Sequence, residues 1–246
     1  MRYAAGSLIV TLALAACVVQ TRPPAAKDVS AEYKAFINQA HDHLKSRGYG
    51  PAMSLLERAI ALRPDAANAY NMLGIAYFLQ ENLGLAEENF LKAVSCQEDY
   101  AAAYNNLGNV HFLQGNAERA KDDFKKALSF SPDSAAANYS LATLLLSQGR
   151  YEEGLTYLSR GIALDPDYLE EHKDFTAGVA LGGLDSPETY FSWARAYALQ
   201  GDAPRTVEYL EKARVAGFRE WKRLDTMNDF DKVRNSPELM KFRQDL

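Results

Sequence analysis

Cysteine is scarce in this chain: two residues in 246, Cys17 and Cys96. A disulfide framework is therefore excluded as the main source of stability. Positive charge is not in excess either. The formal net charge is −5, so there is no basic footprint for nucleic acid, and no strongly acidic tail is present. Alternating Val/Ile/Thr runs are few, which argues against a sheet. No apolar run reaches the roughly 20 residues that a spanning helix needs. Chemistry-bearing patterns are missing too: there is no Gly-x-Ser-x-Gly, no His-Glu-x-x-His and no glycine loop followed by Lys-Ser or Lys-Thr. What remains is a chain 48% apolar, enough for a substantial core. Segments such as "AANAY" and "AAAYNNL" show alanine supplying much of that apolarity. Alanine is the best helix former, so the expectation is an all-α protein.

The beginning of the chain reads as an address. In "MRYAAGSLIVTLALAA", residues 1–16, Arg2 supplies a positive start and Leu8 to Ala16 an apolar stretch of signal-peptide length. Two cleavage readings compete. Ala13-Leu14-Ala15 fits an ordinary site that would release a soluble protein. Leu14-Ala15-Ala16-Cys17 resembles the bacterial lipobox, and its place at the end of the apolar stretch favours this reading. The resemblance implies cleavage before Cys17, a diacylglyceryl thioether on its thiol and an acyl chain such as palmitate on the new amine. Two or three chains anchor firmly where one is marginal. Val18 is not Asp, which in families that sort on this position implies the outer membrane, with the domain facing the periplasm. Residues 17–30 then form an extended tether carrying Pro23 and Pro24. Cys96 is left without an intramolecular partner and is expected to be a packed thiol.

A period of 34 residues organises the next part of the chain. Residues 33–66, 67–100, 101–134 and 135–168 align without a gap. Tyr70 and Tyr104, then Leu73, Leu107 and Leu141, then Gly74 and Gly108 recur on a first helix. Ala52, Ala86, Ala120 and Gly154 recur on a second helix, as do Ala59, Ala93, Ala127 and Gly161. Pro64, Pro132 and Pro166 close the units, and Asp65, Asp133 and Asp167 are the expected caps. The second unit has Glu98 where the proline belongs. This pattern resembles the tetratricopeptide repeat, which implies a right-handed superhelix of helix-turn-helix units. Residues 31–168 are assigned to four contiguous units, 169–186 to an interruption and 187–218 to a fifth unit. Residues 219–246 form a closing cap, with Ser236-Pro237-Glu238 as a helix start.

Enzyme chemistry is not expected. His41 and His43 are two apart and fall on different faces of a helix, a poor metal geometry. His111 stands where the repeat usually has a packing tyrosine. His172 lies among acids but forms no ligand pair. Glu87-Glu88 and Asp122-Asp123 read as solvated helix faces. Gly182-Gly183 lacks the lysine and the preceding strand of a phosphate loop. No metal and no cofactor are predicted.

The resemblance also implies a concave groove lined by the first helix of each unit. Its positions are Asn71, Ile75 and Phe78 in the second unit, Asn105, Asn109 and Phe112 in the third, and Tyr139, Thr143 and Leu146 in the fourth. Asparagine carries both a donor and an acceptor and can pair with an extended backbone whatever its sequence. The Lys and Arg clamp that chaperone-binding relatives use for a carboxylate is missing from "AAAYNNLGN". The expected function is thus a non-catalytic scaffold that binds a partner protein or extended peptide in the envelope, similar in size and repeat spacing to pilotins. A soluble module without an anchor is the alternative, ahead of an enzyme subunit. A homo-oligomer is left open.

Overall fold

In a computed structural model the described residues are 29–168 and 185–246. The expected leader 1–16, the Cys17 anchor, the tether up to residue 28, His172, Gly182, Gly183 and nearly all of the interruption lie outside them. The described residues contain helices and no strand. Four pairs run in order: α1 (Val29–Lys45) with α2 (Tyr49–Leu62), α3 (Ala67–Leu79) with α4 (Leu83–Cys96), α5 (Ala101–Leu113) with α6 (Ala117–Phe130), and α7 (Ala135–Ser147) with α8 (Tyr151–Leu164). A fifth pair follows, α9 (Pro187–Gln200) and α10 (Ala203–Ala216). Then come α11 (Arg223–Thr226), a 3-10 turn (Asn228–Phe230) and α12 (Pro237–Gln244).

Side-chain size at fixed repeat positions explains the pairing. A Cβ on Gly74 would stand 2.6 Å from the Phe90 ring, and one on Gly108 would overlap the Phe124 ring. Phe90 and Phe124 are fully buried, so each glycine is the recess into which the facing phenylalanine packs. Gly154 does the same for Leu146, whose Cδ2 would lie 2.8 Å from an added Cβ. Each second helix then packs against the first helix of the next pair, α8 on α9 included. First helices of neighbouring units also touch one another: α1 on α3, α3 on α5, α5 on α7. Second helices approach one another less closely. The first helices thus form the inner layer of a helical solenoid.

Turn chemistry repeats with the same period. Gly115, Gly149 and Gly201 adopt φ of +79°, +73° and +82° between the two helices of their units. Arg47 and Glu81 hold the same turn with φ of 59° and 60°, a region that costs a non-glycine residue about 1–2 kcal/mol. The helix starts differ from expectation. Ala66 rather than Asp65 precedes α3, and Ser134 rather than Asp133 caps α7 by accepting from Ala137 N at 3.2 Å. Asp133 accepts from Arg160 at 3.0 Å, and Asp167 pairs with Arg205. Asp133 and Asp167 thus serve as charge partners of arginines on α8 and α10, and before α3 and α7 the cap position falls one residue after the aspartate. Ser236 does start α12, accepting from Leu239 N at 3.2 Å.

Aromatic packing closes the C-terminal side. Phe191, Phe218, Phe230 and Phe242 are buried in one cluster with Leu210 and Leu239. The Phe191 and Phe218 rings stack with centroids 4.2 Å apart. Arg234 donates to the carbonyls of Leu224, Asp225 and Met227 and so fixes the segment after α11.

Candidate binding groove

Contact between first helices places most of the expected groove residues deep in the inner layer. Helix α5 buries every residue from Ala103 to His111. Asn71, Asn105, Asn109 and Thr143 are 5%, 5%, 2% and 4% exposed. Phe78 is buried, while Ile75 and Phe112 are half-buried in the cluster that also holds Phe90 and Tyr104. Tyr139 is buried with Leu146 around α8 and α9, and its hydroxyl donates to the Asp165 carbonyl at 3.0 Å. Burial pushes the Tyr139 phenol well above its ordinary value.

The asparagines divide into two groups. Asn71 is engaged, because its Oδ1 accepts from Asn106 Nδ2 at 2.9 Å across α3 and α5. Asn105 Oδ1 and Asn109 Oδ1 are buried and have no hydrogen-bond partner among the described residues. A buried acceptor left unpaired costs about 1–3 kcal/mol. Asn138 Oδ1 shares this condition, but its Nδ2 is held by the Ser134 and Pro132 carbonyls. Asn105 and Asn109 are one helical turn apart, hence about 6 Å along α5. Alternate residues of an extended chain are about 6.6 Å apart, so two backbone N–H groups of one strand match this pair.

Beside Asn105 the inner layer opens into a cleft of about 470 Å³. Its floor is small, made by Ala101, Ala102, Ala136, Ser131 and Ser134, and its walls include Tyr100, Phe130 and Tyr168. Tyr168 stacks on Tyr139 with centroids 5.3 Å apart, and burial pushes its phenol up to about 12. The cleft walls are thus neutral rings at ordinary pH, with Asp99 at the rim.

Two charged constellations escaped the sequence reading. Glu87 and Asp123, read as solvated faces, converge on His111 from α4 and α6. His111 Nδ1 lies 2.6 Å from Asp123 Oδ2, and Nε2 lies 3.4 Å from Glu87 Oε1. Gln114 donates to Glu87, which more than any other contact holds that carboxyl below its usual range. Burial raises Asp123, with the His111 contact opposing it. Glu88 and Asp122 remain exposed, as read. The second constellation centres on Arg195, 3% exposed. Its Nη1 and Nη2 donate to Glu152 at 2.7 and 3.0 Å, and its Nε donates to Asp229 at 2.6 Å. Burial works against the Arg195 charge, but the bonds to Glu152 and Asp229 overcome it and keep the guanidinium protonated. Only the burial of an arginine at a repeat position that is otherwise uncharged could have hinted at this tie. Among the described residues, no cluster of His, Cys, Asp and Glu could hold a metal ion, and no helix is long and apolar enough to cross a membrane. Cys96 is exposed rather than packed.

Residues 65–133 and 111–177 each match a family model described as tetratricopeptide repeat. Between residues 65 and 177 the repeat units match the tetratricopeptide repeat. Proteins built from this repeat are peptide- and protein-binding scaffolds, and the repeat itself is in general non-catalytic. Solved repeat structures share the fold. Pseudomonas aeruginosa pilF is 16% identical, with a TM-score of 0.56, over 89% of this chain and 100% of that one. The thermophilic TPR protein TTC0263 of Thermus thermophilus is 17% identical, with a TM-score of 0.53, over 86% and 97%. A mutant of the Thermobaculum terrenum O-GlcNAc transferase is 24% identical, with a TM-score of 0.52, over 56% of this chain. The matched region spans only 27% of that transferase. At these identities the likeness is one of fold. No curated protein matches the chain.

Proposed function

We propose that this chain is a membrane-anchored adaptor that binds an extended segment of a partner protein along the inner face of α5. The observation that carries the reading is the pair of buried, unpartnered oxygens, Asn105 Oδ1 and Asn109 Oδ1, one turn apart on α5, with Asn105 in the lining of the open cleft. Folding leaves these acceptors unpaired, and a strand supplying two N–H groups satisfies both. The Leu14-Ala15-Ala16-Cys17 sequence supports an anchor on Cys17, and Val18 supports the outer membrane facing the periplasm. In that place the adaptor serves assembly of an envelope complex.

Two experiments test the two halves separately. For the anchor, wild type and Cys17→Ala are labelled with radioactive palmitate and fractionated. Label and membrane association are expected in wild type and lost in the variant; unlabelled protein in the soluble fraction of both overturns the anchor. For the groove, a crosslinked pull-down from envelope membranes compares wild type with an Asn105→Ala/Asn109→Ala/Phe112→Ala variant whose helical circular dichroism is retained. One envelope protein captured by wild type and lost by the variant is expected. The same protein captured by both overturns the groove.

A further inference from the structure

The cleft beside Asn105 has a chemistry narrower than peptide binding in general. Three aromatic residues, Tyr100, Phe130 and Tyr168, line it together with the Asp99 carboxylate, and among the described residues no lysine or arginine does. Elsewhere the chain places its own cations over its rings: Arg63 lies 4.8 Å from the Tyr33 centroid, Lys126 4.5 Å from Tyr104 and Lys212 4.2 Å from Tyr209. Among the described residues none lies over Tyr100 or Phe130, and Phe130 is 42% exposed. Among the described residues no basic side chain pairs with Asp99, whose Oδ1 accepts from Gln97 at 2.9 Å. The other polar residues of the lining are the neutral Asn105, Asn106, Ser131 and Ser134. Among the described residues the cleft therefore presents ring faces and a carboxylate beside neutral amides and hydroxyls, and it lacks a charged donor.

The ligand that best complements ring faces and a carboxylate is a positively charged donor. Lysine ammonium and arginine guanidinium have donors and no acceptor, and both are attracted to ring faces. We infer that the cleft is a subsite for a basic side chain, arginine above all, on the segment that α5 binds. This rests on the groove reading for its place in a peptide, but the cleft recognises the cation itself. Arginine is the better fit, because its flat guanidinium stacks on a ring while its N–H groups reach the Asp99 carboxylate. An acidic segment would meet Asp99 unpaired and is excluded by the same chemistry.

The test titrates the full chain with N-acetyl-arginine-amide and follows backbone amides by 15N NMR. The neutral shape-mimic N-acetyl-citrulline-amide is titrated in parallel. Saturable shifts at Ala101, Ala102 and Ser134 are expected for arginine, with citrulline weaker by about tenfold. Asp99→Asn is expected to weaken arginine by about threefold, and Phe130→Leu by a similar factor. Equal binding of citrulline and arginine overturns the proposal, as does the absence of arginine shifts at these amides. Asn109 does not line the cleft, so Asn109→Leu separates the two readings. Lost partner capture with intact arginine shifts supports both. Retained capture with intact arginine shifts overturns the groove while the cation subsite stands.

Discussion

Asn109 and Arg195 occupy the same place in their repeats, the ninth residue of the third and fifth units, and both are almost fully buried. Their fates differ. Arg195 is saturated by Glu152 and Asp229, so α8, α9 and the 3-10 turn are tied together at one point. Asn109 Oδ1 pairs with nothing among the described residues. The fifth unit thus uses an inner-layer polar group for its own stability, and the third unit leaves one unsatisfied. A buried polar group that the fold does not satisfy is kept at a cost, and binding is the use consistent with that cost.

Substitutions at these two places should therefore move stability in opposite directions. The largest change is expected for Asp229→Ala, which leaves the buried guanidinium with Glu152 alone. Urea denaturation should show a loss of about 3 kcal/mol. A loss below about 1 kcal/mol would mean that the tie contributes little. Next, Asn109→Leu keeps the branching of the side chain and removes the orphaned acceptor. It should raise stability by about 1 kcal/mol, read by the same titration. Loss of stability there would place a hidden partner on Asn109.

Turns give a smaller effect of the same kind. Glu81 holds by strain the conformation that Gly115, Gly149 and Gly201 hold freely. Glu81→Gly should gain several tenths of a kcal/mol, seen as a small rise in Tm, since relief of strain is partly offset by unfolded-chain entropy. The smallest effect is pH-dependent. The Arg195 bonds hold Glu152 below the ordinary glutamate value of 4.5. Its folded value is depressed, so its contribution is complete above 4.5 and is lost as pH falls through the lowered value. The stability difference between wild type and Glu152→Gln should therefore be constant near neutrality and shrink in acid. A difference that grows in acid would contradict the assignment.

Much of the fold was legible because it depends on residue size at fixed spacing. Gly74 opposite Phe90 and Gly108 opposite Phe124 are recesses and knobs that recur with the period, and the period is visible in one dimension. The polar ties are not periodic. Glu152 and Asp229 lie 43 and 34 residues from Arg195, and Glu152 reads as an ordinary acid in the first turn of α8. Glu87 and Asp123 looked like solvated faces because a helical wheel of one helix does not show the His111 of its neighbour. For the groove, the repeat spacing marked the inner positions of α3, α5 and α7. It did not reveal that Asn71 would be engaged by Asn106 while Asn105 and Asn109 would not.

Placing a photo-crosslinking residue at Ala102 tests the central claim most directly. Ala102 is exposed on the cleft floor next to Asn105, and Leu91, exposed on the second helix α4, serves as the control position. After irradiation in the native envelope, an adduct to one protein from position 102 and none from position 91 is the predicted result. An adduct from position 91 with none from position 102 would contradict the account, because the partner would then bind the outer layer of second helices.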